Sequence, residues 1–403
     1  MPELPIARLA ADATPDEVSA YAADELARFL DSEVNPGAPE REEDREVVPR
    51  AAFAAATRIG LLNYLLPTDV GGTGGSRRVF GLLLEQMGTL CDDMAFPFML
   101  SMYADIPTVV LAAGQPALVD RYVKPMAAGE VLGTFAFTDY GDAFEFRTRA
   151  ERKGDRWVVS GVKCLQTGGA LADVFVTYAR DEHDDIRVLL VDRADAGVST
   201  VPVTTLGIRS GGLTQLALDG VELPAERDLS GPDGLADAQM FLNSRRLFQV
   251  CPLVGAMRRM IEVSVRHLDG VIREGRPLTQ SPAVQGRLGR MYAQYLTSRV
   301  VLHDALERMG RGEVNPVYDP VISAAKYVVT ENAVEVGERA IRLTGWRGYT
   351  TVLPLERMHR AVIASITGQT AQDILEINLG VIAMARLALA DQVERADQSR
   401  RTR

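Results

Sequence analysis

The sequence predicts an α+β multidomain protein: an N-terminal helical domain, a central antiparallel β-barrel-like domain and a C-terminal four-helix bundle. Three observations predict this order. Helical hydrophobic spacing fills the first third, short β-rich runs bounded by turn residues follow, and long helical patterns complete the chain. A chain of 403 residues is long enough for two or three packed units. The predicted domains span residues 14–129, 130–228 and 235–390.

The first domain opens with a helix-start signal. Thr14 precedes Pro15 and two acidic residues, which is the pattern of a capped first turn. A second helix is predicted through PRAAFAAATRIGLLNYLL, ending before Pro67. The glycines of PTDVGGTGG have no preceding strand and no following Lys-Ser/Thr, so they predict a turn rather than a phosphate-binding loop.

The second and third domains differ in the period of their apolar residues. Five β-rich runs occur between residues 130 and 228: VLGTFAFT, RTRAERKGDRWVVSGVKCLQ, ADVFVTYA, IRVLLVDR and TQLALDGVELP. No helix separates them and Gly154-Asp155 is a hairpin signal, so an antiparallel barrel or sandwich is predicted. From about Leu235 onward, three long segments carry apolar residues at i, i+3, i+4 and i+7, as in an antiparallel bundle.

Composition narrows the class of partner. The formal net charge is −10, which argues against nucleic-acid and membrane surfaces and favours a small molecule or a protein. Three distant cysteines without a CxxC pair indicate a reducing compartment and buried thiols. The four histidines show no metal-ligand spacing. No run of eighteen apolar residues and no signal-peptide pattern are evident, so we expect a cytoplasmic protein without a membrane span.

Four segments, in this order, resemble the acyl-CoA dehydrogenase family. They are IGLLNYLLPTDVGGTGG, LVDRYVKPMAAGEVLGTFAFTD, RWVVSGVKCLQTGGALADVFVTYAR and TLGIRSGGLTQLALDGVELP. The resemblance implies a homodimer or homotetramer with FAD held between the β-domain and the bundle. It also implies a reaction in which a glutamate removes the α-proton of an acyl thioester while the β-hydrogen leaves as hydride to the flavin.

The same resemblance locates the family's active site in this chain. RAVIASITGQT is similar to the family's RDAKIxxIYEGT and places Gly368 at the catalytic glutamate. Some members carry the base on the first bundle helix, where RRLFQVCPLVG places Arg245. Arg246 matches an arginine beside the active site. Neither Gly368 nor Arg245 accepts a proton at neutral pH, and Arg245 and Gln369 are predicted to bind and polarise a carbonyl or anion.

The resemblance also implies the residues that hold FAD. Thr138 and Thr167 match the threonines that contact the flavin ring, whereas other positions on the phosphate and adenine side depart from the family pattern. Gly141 replaces a serine, Leu165 replaces a tryptophan, and Arg342 replaces a glutamine near the neighbouring subunit's ADP moiety. The predicted cofactor-binding residues are Phe135, Phe137, Thr138, Gly141, Leu165, Thr167, Arg342 and Gly345.

The leading hypothesis is a flavin-dependent oxidoreductase that acts on an acyl thioester of coenzyme A or an acyl carrier protein in a specialised biosynthetic pathway. An α-hydroxyacyl or otherwise activated thioester would suit a site without the usual base. Two alternatives remain open: a flavin monooxygenase on the same fold, or an FAD-less lyase, dehydratase, cyclase or binding protein. Either Asp139 and Asp142 form an acid/base pair or, as we favour, Asp142 caps a turn and Asp139 replaces the glutamate of the family motif.

Overall fold

A computed structural model describes residues 6, 9–141, 146–231, 234–316 and 318–401, without the side chains of 234–240 and 388–401. The N-terminal helices are α1 (Pro15–Tyr21), α2 (Ala27–Glu33), α3 (Ala38–Asp44), α4 (Arg50–Arg58), α5 (Arg77–Leu90), α6 (Ala95–Ala112), α7 (Pro116–Leu118) and α8 (Lys124–Ala127). Single π-helical turns follow α1 and α7. The predicted limits of the three domains stay predictions.

Local signals explain where these helices start and stop. The Thr14 cap of α1 is confirmed, because its hydroxyl accepts from Glu17 N at 3.3 Å and the Glu17 carboxylate accepts from Thr14 N at 2.7 Å. The predicted length of α4 is wrong. This helix ends at Arg58, because Gly60 adopts a left-handed φ of 85° and turns the chain away.

The glycines after Pro67 serve close packing in a turn, as the sequence predicts. A Cβ on Gly72 would lie 2.0 Å from the carbonyl oxygen of Leu66, and one on Gly75 would lie 2.2 Å from the Tyr64 ring. Helix α6 differs from the expectation that no segment is apolar and long enough to span a membrane. Its 18 residues have a mean hydropathy of 1.4 and are long enough to cross one. Because 78% of this segment is buried inside the protein, α6 is a core helix.

The central domain is a seven-stranded sheet. Its strands are β1 (Gly133–Ala136), β2 (Arg149–Lys153), β3 (Arg156–Gln166), β4 (Val174–Arg180), β5 (Ile186–Asp192), β6 (Val198–Pro202) and β7 (Thr214–Pro224). They lie in the order β1-β4-β2-β3-β7-β6, and β5 pairs with β4. Lys153 pairs with Arg156, which confirms the predicted hairpin turn.

Two features of the sheet differ from the prediction. Strand β1 arrives from the helical domain and pairs in parallel with β4, while the other extended pairings are antiparallel. Strand β6 was not predicted. It lies at an edge of the sheet and has no fully buried residue, so the apolar alternation of a half-buried strand is missing from its sequence.

The C-terminal region is a bundle of long helices with a short β-hairpin and two short helices in the connections between them. Its helices are α9 (Gly234–Asp269), α10 (Pro282–Gly310), α11 (Pro320–Thr344), α12 (Trp346–Tyr349), α13 (Leu355–Ile363) and α14 (Gln372–Arg401), with β8 (Ile272–Arg273) and β9 (Arg276–Pro277) between α9 and α10. Helices α5 and α9 touch through their backbones. A Cβ on Gly88 would lie 1.9 Å from Pro252 O, and one on Gly255 would lie 2.0 Å from Glu85 O. The N-terminal helices and the bundle therefore share one hydrophobic core.

Candidate active site

A cavity of about 760 Å³ lies where the β-sheet meets α9 and the segment that joins α13 to α14. It is large enough for a cofactor-sized ligand, and its walls are mainly apolar and aromatic. Ten predicted site residues line it: Phe135, Phe137, Thr138, Gly141, Leu165, Thr167, Arg245, Arg246, Gly368 and Gln369. Folding therefore brings together residues from three distant parts of the chain.

The β-domain contributes an aromatic wall. The rings of Phe135 and Phe137 stack with centroids 5.3 Å apart, and Phe146 packs edge-on against Phe137 at 4.8 Å. Thr138 continues this strand, and its carbonyl accepts from Cys164 N at 2.8 Å. Thr167 enters at the end of β3, where its carbonyl accepts from the Thr134 hydroxyl at 2.7 Å.

Two further residues of this wall depart from ordinary expectation. Leu165 has a left-handed φ of 58° and its side chain is 51% exposed, although it is a large apolar residue. Cys164 is half-buried at the cavity, whereas Cys91 and Cys251 are buried as predicted. About half of Leu165 is therefore accessible at the cavity.

A buried ion pair braces the wall beside Thr138. Lys163 Nζ lies 2.7 Å from Asp139 Oδ1, and both side chains are buried. The other Asp139 oxygen accepts from the backbone of Arg147 and Thr148 at 2.6 and 2.7 Å. Burial lowers the pKa of Lys163 to about 8, and the Asp139 carboxylate opposes this shift. Asp139 therefore acts as a structural hydrogen-bond acceptor. Asp142, the predicted turn cap, lies outside the described residues.

Arg245 places a buried positive charge at the cavity. Its Nη1 donates to Ser101 O at 2.6 Å and Nη2 to Ser101 Oγ at 3.2 Å. Among the described residues its Nε has no hydrogen-bond partner. Burial lowers the pKa of Arg245 to about 10, with nearby Asp105 opposing the shift, so the guanidinium stays charged at neutral pH. Asp105 itself is paired with Arg77 at 2.6 Å.

Arg246 follows Arg245 in α9 and contacts the segment between α13 and α14 on another side of the cavity. Its Nε donates to Thr370 Oγ1 at 3.2 Å and its Nη1 to Asn243 Oδ1 at 3.0 Å. The guanidinium also stacks over Tyr318, with the ring centroid at 5.1 Å. Burial lowers the pKa of Arg246. The arginine thus links α9 to the segment that carries Gly368.

That segment is strained and tightly packed. Gln369 and Thr370 adopt positive φ angles of 54° and 102°, which side chains rarely tolerate. Gly368 has no such backbone reason to be glycine; a Cβ there would lie 2.0 Å from Gln249 Nε2. The carboxamide of Gln249 thus fills the space where a side chain at position 368 would begin.

Lys326 of α11 fixes this segment from beneath. Its buried ammonium donates to Ser365 O and Thr370 O at 2.9 Å each, and to Gln372 Oε1 at 2.7 Å. Burial lowers the pKa of Lys326 to about 7. Below that pH, the Lys326 ammonium donates three hydrogen bonds that hold the positive-φ turn in place.

Arg342 and Gly345 are the predicted site residues that do not line this cavity. Arg342 pairs with Glu338 at 2.6 Å on the surface of α11. With Arg287, Arg339 and Leu343 it lines a separate cavity of about 480 Å³. Within one chain, these two positions therefore lie outside the cavity that Thr138 and Thr167 line.

Comparison with known proteins identifies the family. Models of the acyl-CoA dehydrogenase N-terminal, middle and C-terminal domains match residues 17–130, 137–221 and 232–387. The chain belongs to the acyl-CoA dehydrogenase family. Its fold is the one predicted: an N-terminal helical domain, a β half-barrel and a C-terminal helical domain. It is an oxidoreductase of the type that acts on CH–CH bonds.

Several relatives of this acyl-CoA dehydrogenase family member are informative. Cyclohex-1-ene-1-carbonyl-CoA dehydrogenase of Geobacter metallireducens is 29% identical over 338 residues, covering 81% of this chain and 88% of the relative. The prolyl acyl carrier protein oxidase AnaB has a TM-score of 0.83 at 20% identity, covering 92% and 97% of the two chains. A Mycobacterium smegmatis glutaryl-CoA dehydrogenase in complex with FADH2 has a TM-score of 0.81 at 23% identity, covering 92% and 94%.

Three residues at this site were not predicted from the sequence: Gln249, Tyr318 and Lys326. Gln249 did carry a signal, because it is a polar residue in the apolar run LFQVCPLVG, one turn after Arg245 and on the same helix face. Lys326 carried a weaker signal, because it is a lysine on the buried face of α11. Tyr318 precedes α11 in a loop, and no local pattern marks it.

Proposed function

We propose that this family member oxidises an acyl thioester with FAD, without a carboxylate at either position where the family places its base. The observation that carries the proposal is the juxtaposition of Gly368 and Arg245, which line the same cavity. Among the described lining residues the only carboxylate is that of Asp139, and it is engaged by Lys163 and Thr148. Under this proposal, neutral and cationic groups occupy the positions of the family's general base.

The cavity suits a flavin ring. Thr138 and Thr167 bring hydroxyl and backbone groups to one region, beside the aromatic wall of Phe135 and Phe137. We propose that these residues, with Gly141 and Leu165, hold the flavin end of FAD. When bound, FAD supplies a hydride acceptor. Arg342 and Gly345 would act toward the ADP moiety only from a neighbouring subunit, since they lie outside this cavity.

The chain's own residues prepare the substrate. The aromatic wall is apolar, which strengthens the electrostatic interactions beside it in the cavity. Arg245 and Arg246 provide a positive potential that favours negative charge on the thioester carbonyl oxygen. Gln369, on the strained turn held by Lys326, is proposed to donate to the same oxygen. Such a site suits a substrate whose α-hydrogen is already activated, for example an α-hydroxyacyl thioester.

We propose a thioester of coenzyme A or an acyl carrier protein as the substrate, in a specialised biosynthetic pathway. The Geobacter relative is named for a coenzyme A thioester and AnaB for an acyl carrier protein, and both carriers present the acyl group through a thioester. We also propose a homodimer or homotetramer. One face of α14 exposes Ile377, Val381 and Met384 by 60, 54 and 64%, which a second copy would cover.

An absorbance spectrum of the purified protein, before and after FAD addition and removal of the free portion, tests the proposal. We expect bands of oxidised flavin that bleach under anaerobic conditions with an acyl thioester. Flavin that does not bleach, combined with oxygen consumption in the presence of an external reductase, would indicate the monooxygenase instead. A protein that stays colourless after FAD addition would contradict the proposal and leave a lyase, dehydratase, cyclase or binding protein.

A further inference from the structure

Gln249 is a buried amide whose oxygen has no hydrogen-bond partner in the part of the chain that the structure describes. The residue is 8% exposed and lines the cavity, and among the described residues Oε1 has no hydrogen-bond partner. An unsatisfied buried amide is costly, and native structures rarely keep one without a reason. Because Gln249 also lines the cavity, a ligand bound there is placed to supply the missing partner.

The position of this amide indicates which part of a ligand it meets. Its Nε2 stands over Gly368, where a Cβ would be only 2.0 Å away. Under the proposed function, position 368 faces the α-carbon of the acyl group. The Gln249 amide therefore lies beside the α-carbon and its substituent.

The hydrogen-bonding groups of a carboxamide limit which substituents on the α-carbon Gln249 can bind. A carboxamide carries both a donor and an acceptor, and a half-turn of its last side-chain bond exchanges the two. A hydroxyl group likewise both donates and accepts, whereas a carboxylate only accepts and a hydrogen or methyl group does neither. The positive charge of Arg245, one helical turn earlier, favours an oxygen substituent as well.

We propose that Gln249 is a specificity-determining residue that hydrogen-bonds the hydroxyl group of an α-hydroxyacyl thioester. This inference rests on the proposed function, because it takes the acyl α-carbon to lie beside Gly368. It assigns to Gln249 the choice between α-hydroxyacyl and unsubstituted acyl groups. The amide does not remove a proton; it positions the substrate.

Calorimetric titration with two pantetheine thioesters, 2-hydroxypropionyl and propionyl, tests this assignment. Pantetheine is the arm that coenzyme A and acyl carrier protein share, so either carrier is represented. FAD-loaded wild-type protein should bind the hydroxyacyl compound about tenfold more tightly, as expected for one or two net hydrogen bonds. Gln249→Met keeps the side-chain length but cannot accept or donate in the same way, so the ratio of the two Kd values should fall to about 1.

A matched substitution controls for general loss of stability. Gln294 of α10 donates to Asn332, 3.4 Å away, and does not line the cavity, so Gln294→Met should retain the wild-type ratio. A wild-type ratio near 1, or an unchanged ratio in Gln249→Met, would overturn the assignment and leave the proposed function standing. If neither thioester binds, both the assignment and the thioester site are wrong.

Discussion

The carboxamide of Gln249 occupies the space beside Gly368 that a side chain at position 368 would need. That space holds only one of the two groups. The separation of 2.0 Å between Gln249 Nε2 and a Cβ built on Gly368 is far below van der Waals contact. Because Gly368 has no positive φ, its backbone accepts another residue. The obstacle is the end of a flexible side chain, which a second substitution removes.

A glutamate introduced at position 368 should restore proton abstraction, provided that Gln249 makes room. We expect little thioester-dependent bleaching of the flavin for Gly368→Glu alone, and a clear gain for Gly368→Glu combined with Gln249→Ala, with butyryl-CoA as substrate. General-base catalysis typically contributes about 10²–10⁴-fold, which sets the range of the gain. The matched control is Gly368→Gln with Gln249→Ala, which fills the same space without a base. Equal rates in the two double variants would contradict the assignment of position 368.

Thr167 should contribute to FAD affinity. Thr167→Ala removes a hydroxyl at the cavity, and we expect FAD to bind about fivefold more weakly, as for one lost hydrogen bond of about 1 kcal/mol. Thr205→Ala is the control, because Thr205 lines the same cavity but donates its hydroxyl to Gly207 O at 2.9 Å. Quenching of FAD fluorescence on binding measures both. The same affinity in wild type and Thr167→Ala would remove Thr167 from the flavin contacts.

The buried Lys326 should make stability depend on pH. Burial lowers the pKa of Lys326 from 10.5 to about 7, so between these values the unfolded chain binds more protons than the folded one. The contribution of this residue to the free energy of unfolding therefore rises with pH from about 7 to 10, by at most about 1.4 kcal/mol per pH unit. Lys326→Met lacks this contribution.

Urea unfolding of wild type and Lys326→Met across this pH range measures the difference. The free-energy gap between them should widen as the pH rises. Lys124→Met is the control, because Lys124 forms an exposed pair with Asp120 at 2.5 Å and its gap to wild type should stay constant. A constant gap for Lys326→Met would show that Lys326 keeps its ordinary pKa.

Breaking the Asp139–Lys163 pair should destabilise the β-domain. Lys163→Met leaves the buried Asp139 carboxylate without its cation, and we expect a loss of about 3–5 kcal/mol in the free energy of unfolding. Lys153→Met breaks an exposed pair with Glu151 and should cost less than about 1 kcal/mol. Chemical denaturation compares the two variants. Similar losses in both would mean that Asp139 is satisfied by backbone donors alone.

The exposed face of α14 should be required for assembly. Met384→Glu places a charge among Ile377, Val381 and Leu387, which are 60, 54 and 68% exposed, and should shift an oligomer toward monomer. Sedimentation velocity measures the distribution. Glu376→Gln, which changes charge at the contact with Tyr327 rather than on this face, should leave it unchanged. An unchanged distribution in Met384→Glu would place any subunit interface elsewhere.

Part of this structure was predictable because its signals are local. The Thr14 capping box, the Gly154-Asp155 hairpin and the helical periodicity each depend on residues a few positions apart, and each is present as predicted. The order of domains follows from the change of hydrophobic period along the chain. The family motifs located ten cavity residues, because each motif fixes a short segment relative to the fold.

Tertiary packing decided what local patterns do not contain. Strand β1 pairs in parallel with β4, and the Glu42 carboxylate accepts a hydrogen bond from Arg360, far along the chain, at 2.9 Å. The same holds for the contact of Gln249 with Gly368 and for the bonds of Lys326 to the turn at Thr370. The sequence by itself determined the fold class, the family and ten of the residues that line the cavity. Only the tertiary structure decided which polar groups are satisfied there, because burial and hydrogen bonding depend on side chains that approach from distant segments.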